Sequence, residues 1–271
     1  MLIAQLTDTH IKTAGRLAYR RVDTAAMLAA AVDALRRLDP QPDLVVITGD
    51  LVDLGNAEEY ARLRALLAPL AQPLLVVPGN HDARDALRQA FADGGYLPAS
   101  GFLHYAVDDH PLRIIGLDTL IPGQGGGELC AERLAWLART LAARPAAPTL
   151  ILMHHPPFAT GIGHMDRIGL RGRQAFAALL AQHPQVQRVL CGHLHRTIHA
   201  MVGGRAVLTA PSTAHQVALD LREQAPSAFR MEPPGFMLHR WADDMLVSHV
   251  ANVGDFAGPF PFFDENGALI D

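Results

Sequence analysis

Five short apolar segments, each followed by Asp, Asn or His, constrain the fold of this chain more than any other feature. They have the length and composition of buried strands, and Ala- and Leu-rich helical patterns separate the first three. The segments are Leu2–Leu6, Leu44–Thr48, Leu74–Val77, Leu150–Met153 and Val186–Leu190. This alternation predicts an α/β fold with parallel strands, in which ligands bind beyond the carboxyl ends of the strands.

The residues that follow these strands carry side chains that bind divalent metal ions. The seven candidate ligands are Asp8, His10, Asp50, Asn80, His154, His193 and His195. Carboxylate, amide and imidazole groups suit Mn, Fe, Zn or Co. One tetrahedral ion takes about four ligands at most, so seven groups suit two ions about 3.5–4 Å apart. Asp50 is central in chain order, and we expect its carboxylate to bridge the pair.

Three of these groups come directly after a glycine, namely Gly49, Gly79 and Gly192. Glycine allows a sharp turn at a strand end and a close approach of the backbone to a ligand. We expect the turn to end the alternation of side chains along the strand. Both members of Asp8-x-His10 can then reach a metal.

Each motif also has an ordinary structural interpretation. A Gly-Asp pair is usually a turn, Asn80 could cap a helix, and His154 with His155 could be a buried structural pair. All the motifs occur in this chain, in order, each after an apolar strand. That combination favours a metal site over the separate structural interpretations.

Composition and charge exclude several other classes of protein. The formal net charge of −4, without a run of five Lys or Arg residues, argues against extended nucleic acid as a partner. No apolar stretch approaches the roughly 20 residues of a membrane helix. Cys130 and Cys191 form no Cys-x-x-Cys pair, so we expect no thiolate zinc site and no disulfide framework. Met1–Thr7 resembles a buried strand rather than a signal peptide, and we expect a cytoplasmic protein.

Taken together, the metal-binding blocks resemble those of the calcineurin-like metallophosphoesterase family. The blocks are Asp8-x-His10, Gly49-Asp50, Gly79-Asn80-His81-Asp82, His154 and Gly192-His193-x-His195. Within the family, the chain is similar to the class III cyclic-nucleotide phosphodiesterases and their bacterial glycerophosphodiesterase branch. The likeness continues into the tail, through residues 213–217 and 257–266.

The resemblance implies a four-layer αββα sandwich that holds two divalent metal ions. A catalytic domain would span residues 1–211. Residues 212–271 would form a C-terminal extension that caps the site and makes contacts in a homo-oligomer, such as a dimer or a trimer of dimers. The first ion would be bound by Asp8, His10, Asp50 and His195. The second would be bound by Asp50, Asn80, His154 and His193.

The implied activity is hydrolysis of small phosphodiesters, such as glycerophosphodiesters or cyclic nucleotides, by a metal-bound hydroxide. Asp50 and His81 would be catalytic, and Asn80, His81 and His215 would bind the substrate. His81 could protonate the departing alkoxide or only stabilise charge, and His215 could equally be an ordinary packed histidine. Two alternatives are a phosphomonoesterase or nuclease that uses the same site, and a scaffold that has lost catalysis.

Overall fold

The computed structural model describes residues 1–270, which form two main β-sheets, two small two-stranded sheets and six α-helices. The helices are α1 (Thr24–Arg36), α2 (Ala57–Leu67), α3 (Arg84–Ala90), α4 (Ala131–Ala142), α5 (Gly163–Asp166) and α6 (Arg173–Ala181). The strands are β1 (Leu2–Leu6), β2 (Leu44–Thr48), β3 (Leu74–Val77), β4 (Tyr105–Val107), β5 (Arg113–Leu117), β6 (Gly127–Glu128), β7 (Thr149–Met153), β8 (Leu170–Arg171), β9 (Val186–Cys191), β10 (Ile198–Val202), β11 (Arg205–Thr209), β12 (Gln216–Val217), β13 (Phe229–Arg230), β14 (Gly235–Ala242) and β15 (Met245–Asn252). Besides the two main sheets, β6 pairs with β8 and β12 pairs with β13.

Polar side chains begin the first two helices where the sequence changes from loop to helical spacing. Asp23 accepts a hydrogen bond from the backbone nitrogen of Ala26 at the start of α1. Asn56 accepts one from Glu59 at the start of α2. Each cap satisfies a backbone N–H that has no partner within the helix.

The first sheet has the strand order β15-β14-β1-β2-β3. Strands β1, β2 and β3 are parallel, and β14 joins β1 in the antiparallel direction. All five residues of β2 are buried, as expected for a strand with helices on one face and a second sheet on the other.

The second sheet has the strand order β10-β11-β9-β7-β5-β4. Its four central strands are parallel, whereas β10 and β4 are antiparallel edge strands. The parallel strands β7 and β9 therefore carry their following loops to the same end of the sheet.

Three apolar cores define four layers. One core joins α1, α2 and α3 to the outer face of the first sheet, and another joins α4 and α6 to the outer face of the second. The third lies between the sheets, where Ile3 and Val46 of the first sheet share a cluster with Leu150 and Leu190 of the second. The predicted αββα sandwich is confirmed.

Part of the expected C-terminal extension belongs to the first sheet. Strand β14 pairs with β1 from Leu2↔Arg240 to Gln5↔Met237, and β15 completes a hairpin with β14. Residues 235–252 are therefore a component of the sandwich rather than an addition outside the core. The roles of residues 212–271 in capping and oligomer contacts stay predictions.

Two expectations about the chain as a whole can be compared with the described residues. Within residues 1–270, no helix is both long enough and apolar enough to cross a lipid bilayer. Cys130 and Cys191 are free, with Cys191 fully buried at the end of β9.

Candidate metal centre

The carboxyl ends of β1, β2, β3, β7 and β9 meet at one rim of the sandwich. Backbone hydrogen bonds join the loops that leave these strands: the Asp8 nitrogen donates to the Gly49 oxygen at 3.0 Å, and the Gly192 nitrogen donates to the His154 oxygen at 3.0 Å. The structure brings all seven candidate ligands together at this rim. Six of them are buried, and Asn80 is partly exposed.

One group of side chains surrounds Asp8. The Oδ1 atom of Asp8 lies 3.3 Å from Nε2 of His195, and Nε2 of His195 lies 3.2 Å from Nε2 of His10. Ligand atoms of these three residues all lie within 4.8 Å of one another. A carboxylate and two imidazoles at this spacing match the donor set of a divalent transition metal.

A second group surrounds His154. Its Nε2 atom lies 3.3 Å from Oδ2 of Asp50 and 3.2 Å from Oδ1 of Asn80. The same Oδ2 atom of Asp50 lies 3.6 Å from Nε2 of His10 in the first group. A single carboxylate thus lies beside both groups, and the bridging role of Asp50 stays a prediction.

His193 contributes to both groups in different ways. Its backbone nitrogen donates to the carboxylate of Asp8, with Oδ2 at 3.1 Å. Its ring packs 5.2 Å from the ring of His154 and 4.5 Å from that of His155, between ring centroids. Its Nε2 atom donates to the Ile168 oxygen at 3.1 Å, which leaves Nδ1 as the nitrogen able to bind an ion.

Backbone carbonyls also determine which ring nitrogen is free in His154 and His195. His154 donates from Nδ1 to the Thr48 oxygen at 2.8 Å, and His195 donates from Nδ1 to the His215 oxygen at 2.9 Å. In both rings the Nε2 atom then faces the carboxylates. Histidine ligands of metal sites are oriented in this manner by an outer hydrogen bond, so these residues fit a metal centre.

Five of the seven candidate ligands adopt a left-handed backbone, which is uncommon for residues other than glycine. The φ angles are 51° for Asp8, 43° for His10, 48° for Asp50, 70° for His193 and 51° for His195. Such conformations cost about 1–2 kcal/mol each and persist where the surrounding structure holds them. They also explain how both members of Asp8-x-His10 can point the same way, because the turn directs both side chains toward the rim.

Two glycines leave room that the carboxylates occupy. A Cβ atom on Gly79 would lie 2.2 Å from Oδ1 of Asp50, and one on Gly192 would lie 2.8 Å from Oδ2 of Asp8. Both distances are too short for any side chain. The predicted close approach of glycine backbone to ligand groups is confirmed at these two positions.

The buried charges stabilise one another. Burial alone would raise the pKa of Asp8, but the imidazole of His195 lowers it to about 2. Burial alone would lower the pKa of His154, but the carboxylate of Asp50 raises it to about 9. The protein therefore keeps its carboxylates ionised and places protonatable imidazoles against them, an arrangement in which a cation can take the place of the protons.

His81 and His215 lie beside the two groups. The His81 backbone nitrogen donates to Oδ1 of Asp50 at 2.9 Å, and its ring donates from Nδ1 to the Asp53 oxygen at 2.8 Å. Its side chain is 34% exposed, so its free Nε2 atom is accessible. His215 is buried, with its ring centroid 4.7 Å from that of His195, and burial lowers its pKa to about 3.

Asp53 and Tyr19 near the site are absent from the sequence-based set, and Asp82 appears there only within a block, without an assigned role. The Oδ1 atom of Asp53 lies 3.4 Å from Nδ1 of His10, and its other oxygen pairs with Lys12. Asp82 holds the Gly79 loop, accepting hydrogen bonds from the Gly79 nitrogen at 2.8 Å and from Tyr60 Oη at 2.8 Å. Tyr19 stacks edge-on against His215 at 5.2 Å. Asp53 and Tyr19 lie in loops where no spacing signal marks them.

His155, which the sequence allows as half of a buried structural pair with His154, lies beside the second group. It is fully buried, and its two ring nitrogens contact the Thr119 hydroxyl at 2.8 Å and the Gly125 oxygen at 3.2 Å. Its ring also packs against His193. His154 therefore faces Asp50 in the second group, whereas His155 contacts the neighbouring loop through Thr119 and Gly125.

Comparisons with known proteins agree with this geometry. Residues 1–197 match the model of the calcineurin-like phosphoesterase family. The chain is 42% identical to a probable glycerophosphodiester phosphodiesterase GpdQ of Arcobacter nitrofigilis, with both chains covered completely. It is 34% identical to the 3',5'-cyclic adenosine monophosphate phosphodiesterase CpdA of Pseudomonas aeruginosa, covering 94% of this chain and 91% of the relative. A dimetal phosphatase from Danio rerio has the same fold, with a TM-score of 0.66 at 17% identity, covering 93% of this chain and 98% of that one.

The fold and the rim of carboxylates and imidazoles define a two-metal phosphoesterase. The chain belongs to the calcineurin-like phosphoesterase family.

Proposed function

We propose that this protein hydrolyses small phosphodiesters, with glycerophosphodiesters and cyclic nucleotides as the substrate classes to test first. It is a metal-dependent phosphodiesterase, and two relatives that match it over nearly their whole length are named as phosphodiesterases. The observation that carries the proposal is the Asp50 carboxylate, whose Oδ2 atom contacts a histidine of each candidate group, at 3.3 and 3.6 Å. That arrangement suits a pair of ions rather than one.

We assign the ligands as the family pattern suggests. The first ion is bound by Asp8, His10, Asp50 and His195. The second is bound by Asp50, Asn80, His154 and His193. The tautomers of His154 and His195 support this assignment, since each has Nε2 directed at a carboxylate.

When bound, the two ions supply positive charge for the phosphoryl oxygens and an activated water as nucleophile. The protein's own part in the reaction is then to orient the substrate and manage protons. His81 is suited to both tasks. The carboxylate of Asp50 and the Asp53 carbonyl oppose the effect of burial and raise the pKa of His81, so its ring can hold a proton at Nε2 and pass it to the departing alkoxide.

Asn80 and His215 complete the proposed substrate pocket. The amide of Asn80 is partly exposed beside His154 and can bind an ion and a phosphoryl oxygen in turn. Buried His215 is neutral near pH 7, because its pKa is about 3, and it presents an uncharged ring to the substrate.

Mn, Fe, Zn and Co remain the proposed metals, because a mixed oxygen and nitrogen donor set binds all four. Elemental mass spectrometry of protein purified without added metal would identify the two native metals.

Exposed aromatic side chains in the C-terminal tail support the proposal that the protein forms a homo-oligomer. Phe256, Phe260, Phe262 and Phe263 are 65%, 74%, 78% and 58% exposed, and a run of exposed aromatic rings is typical of an interaction surface. Sedimentation of the full chain and of a chain ending at residue 253 tests this. We expect the dimer or trimer of dimers to dissociate on truncation. An unchanged number of subunits would show that the tail is not part of the interface.

The activity is tested with bis(p-nitrophenyl) phosphate, p-nitrophenyl phosphate, cyclic AMP and glycerophosphoethanolamine. We expect the diesters to be hydrolysed with higher kcat/KM than the monoester, and chelation followed by Mn or Co to abolish and restore the rates. A preference for the monoester would favour the phosphomonoesterase alternative, and absence of all turnover with both ions bound would favour the scaffold.

The role of His81 is tested by His81→Ala, with His249→Ala on the exposed face of β15 as the matched control. We expect His81→Ala to keep its metals and lower kcat by about 10²-fold, in the range of a lost acid–base group. The loss should be smaller for substrates whose leaving group needs no proton, such as p-nitrophenolate. An unchanged kcat for all substrates would remove His81 from the mechanism.

A further inference from the structure

A cavity of about 600 Å³ lies where the sandwich is open along one lateral edge. It is lined by residues of β9, β10 and β11 from the second sheet and of β15 from the first. Most of the lining is apolar, including Met201, Val207, Leu208, Leu246 and Val247. None of these residues takes part in the metal centre, so the cavity is a separate feature of the molecule.

The cavity also contains a half-buried cation, Arg188. Its Nη1 atom donates to the Ser248 hydroxyl, and its Nε atom is buried without an acceptor. Among residues 1–270, no carboxylate forms an ion pair with its guanidinium. Removing a charge from water without pairing it costs free energy, so this arginine lacks a partner that the protein itself could have supplied.

The opposite lateral edge, between β3 and β4, provides a contrast. A cavity of about 940 Å³ there is lined by Arg64, among other residues. Arg64 is paired with Asp93, which also lines that cavity. The cation at that edge is neutralised by the chain, whereas the cation of the β15 edge is not.

The position of the Arg188 side chain is fixed from within the sandwich. Ser248, its hydrogen-bond partner, lies 2.6 Å from Nδ1 of His239. His239 is fully buried, and its Nε2 atom lies 3.0 Å from Oε1 of Gln5. A guanidinium held by such a network loses little freedom when it binds a ligand, and this favours affinity.

We propose that this cavity, which we call the Arg188 groove, is a binding site for a small amphipathic carboxylate. The planar guanidinium matches a carboxylate with paired N–H donors, and the apolar lining accommodates a hydrocarbon tail. Volume, apolar walls and one oriented polar group are the features of small-molecule sites. The exposed ring of His199, which also lines the groove, adds a polar group near the mouth.

The test uses decanoate as the probe, with binding to the metal-loaded wild-type protein measured by isothermal titration calorimetry. Acetate has the head group without the tail and controls for binding to the metal ions. Decyltrimethylammonium has a similar tail with the opposite charge. We expect saturable binding of decanoate and at least about tenfold weaker binding of both controls, equivalent to about 1.4 kcal/mol.

Arg188→Gln should weaken decanoate binding at least about tenfold, whereas Arg36→Gln on the exposed face of α1 should leave it unchanged. Met201→Glu provides a second variant, because Met201 is 69% exposed and a carboxylate there repels the probe without disturbing the core. The proposal is overturned if decanoate does not saturate, if decyltrimethylammonium binds as tightly, or if both variants bind decanoate as the wild type does. It is also overturned if sedimentation shows the groove buried in a dimer that Met201→Glu dissociates, since the occupant is then a second copy of the chain.

Discussion

The Oδ2 atom of Asp50 lies 3.3 Å from the Nε2 atom of His154, although the two residues follow strands of different sheets. Asp50 comes after β2 of the first sheet, and His154 after β7 of the second. The other proposed ligands divide in the same way. The first sheet supplies Asp8, His10, Asp50 and Asn80. The second supplies His154, His193 and His195. The metal centre is therefore built across the junction of the two sheets and exists only when they are packed together.

Bound metal should consequently stabilise the whole sandwich. An ion that binds the folded chain alone adds about 4 kcal/mol at a free concentration of 1,000 times its Kd. We expect the Tm measured by calorimetry to fall by several degrees on chelation and to recover with Mn. Equal Tm values with and without metal would show that bound ions do not stabilise the packing of the two sheets.

The metal-free protein should lose stability as the pH rises. Because the Asp50 carboxylate raises the pKa of His154 to about 9, the folded chain holds a proton that the unfolded chain releases near the ordinary histidine pKa of about 6.5. The stabilisation is fully present below about pH 6.5 and is lost as the pH rises through about 9. Histidines with a lowered pKa, such as His193 at about 3, affect stability only at pH values below the range of 6.5 to 9.

The measurement is the Tm of chelated protein between pH 6.5 and 9. We expect it to decrease across this range in the wild type and to decrease less in His154→Gln, which cannot take up the proton. A Tm that rises with pH in the chelated wild type would contradict the assigned charge pair.

Asp53→Asn should weaken metal binding without removing a ligand. The Oδ1 atom of Asp53 lies 3.4 Å from Nδ1 of His10, and its charge favours the ring orientation that directs Nε2 toward the centre. Loss of such an outer carboxylate typically costs about 10- to 100-fold in metal affinity or activity. Titration with Mn, followed by activity, measures the change. Asp85→Asn is the matched control, because that carboxylate is 97% exposed. An unaltered affinity in Asp53→Asn would make Asp53 only a partner of Lys12.

Gly79→Ala tests the close approach of backbone to the bridging carboxylate. The added Cβ would lie 2.2 Å from Oδ1 of Asp50, so either the carboxylate or the loop must move. We expect a loss of activity of about 10²-fold, the scale of a displacement of about 1 Å at a reacting centre, with metal affinity reduced. Gly254→Ala, where the nearest atom belongs to the exposed ring of Phe256 at 3.2 Å, should behave as wild type. Normal activity in Gly79→Ala would contradict the tight packing at Asp50.

Local signals in the sequence predict an α/β fold and the rim, whereas the four-layer sandwich follows from the family resemblance. Buried strands have apolar side chains, and the turns after them carry Asp, Asn, His and Gly at fixed offsets. The hairpin of β14 and β15 is different, since its place beside β1 depends on a long-range pairing that no local pattern encodes. Asp53 was missed for a similar reason: its contact with His10 arises when two loops meet. The Arg188 groove could not be predicted either, because an unpaired arginine is recognised only once its neighbours are known.

The number of metal ions per chain tests the central claim most directly. Elemental analysis of the Mn-loaded wild type should give two ions per chain, and Asp50→Asn should lose most of both, since both groups share that carboxylate. Loaded Asp85→Asn should retain two. A single ion in the wild type, or two ions retained in Asp50→Asn, would contradict a centre in which Asp50 joins the pair.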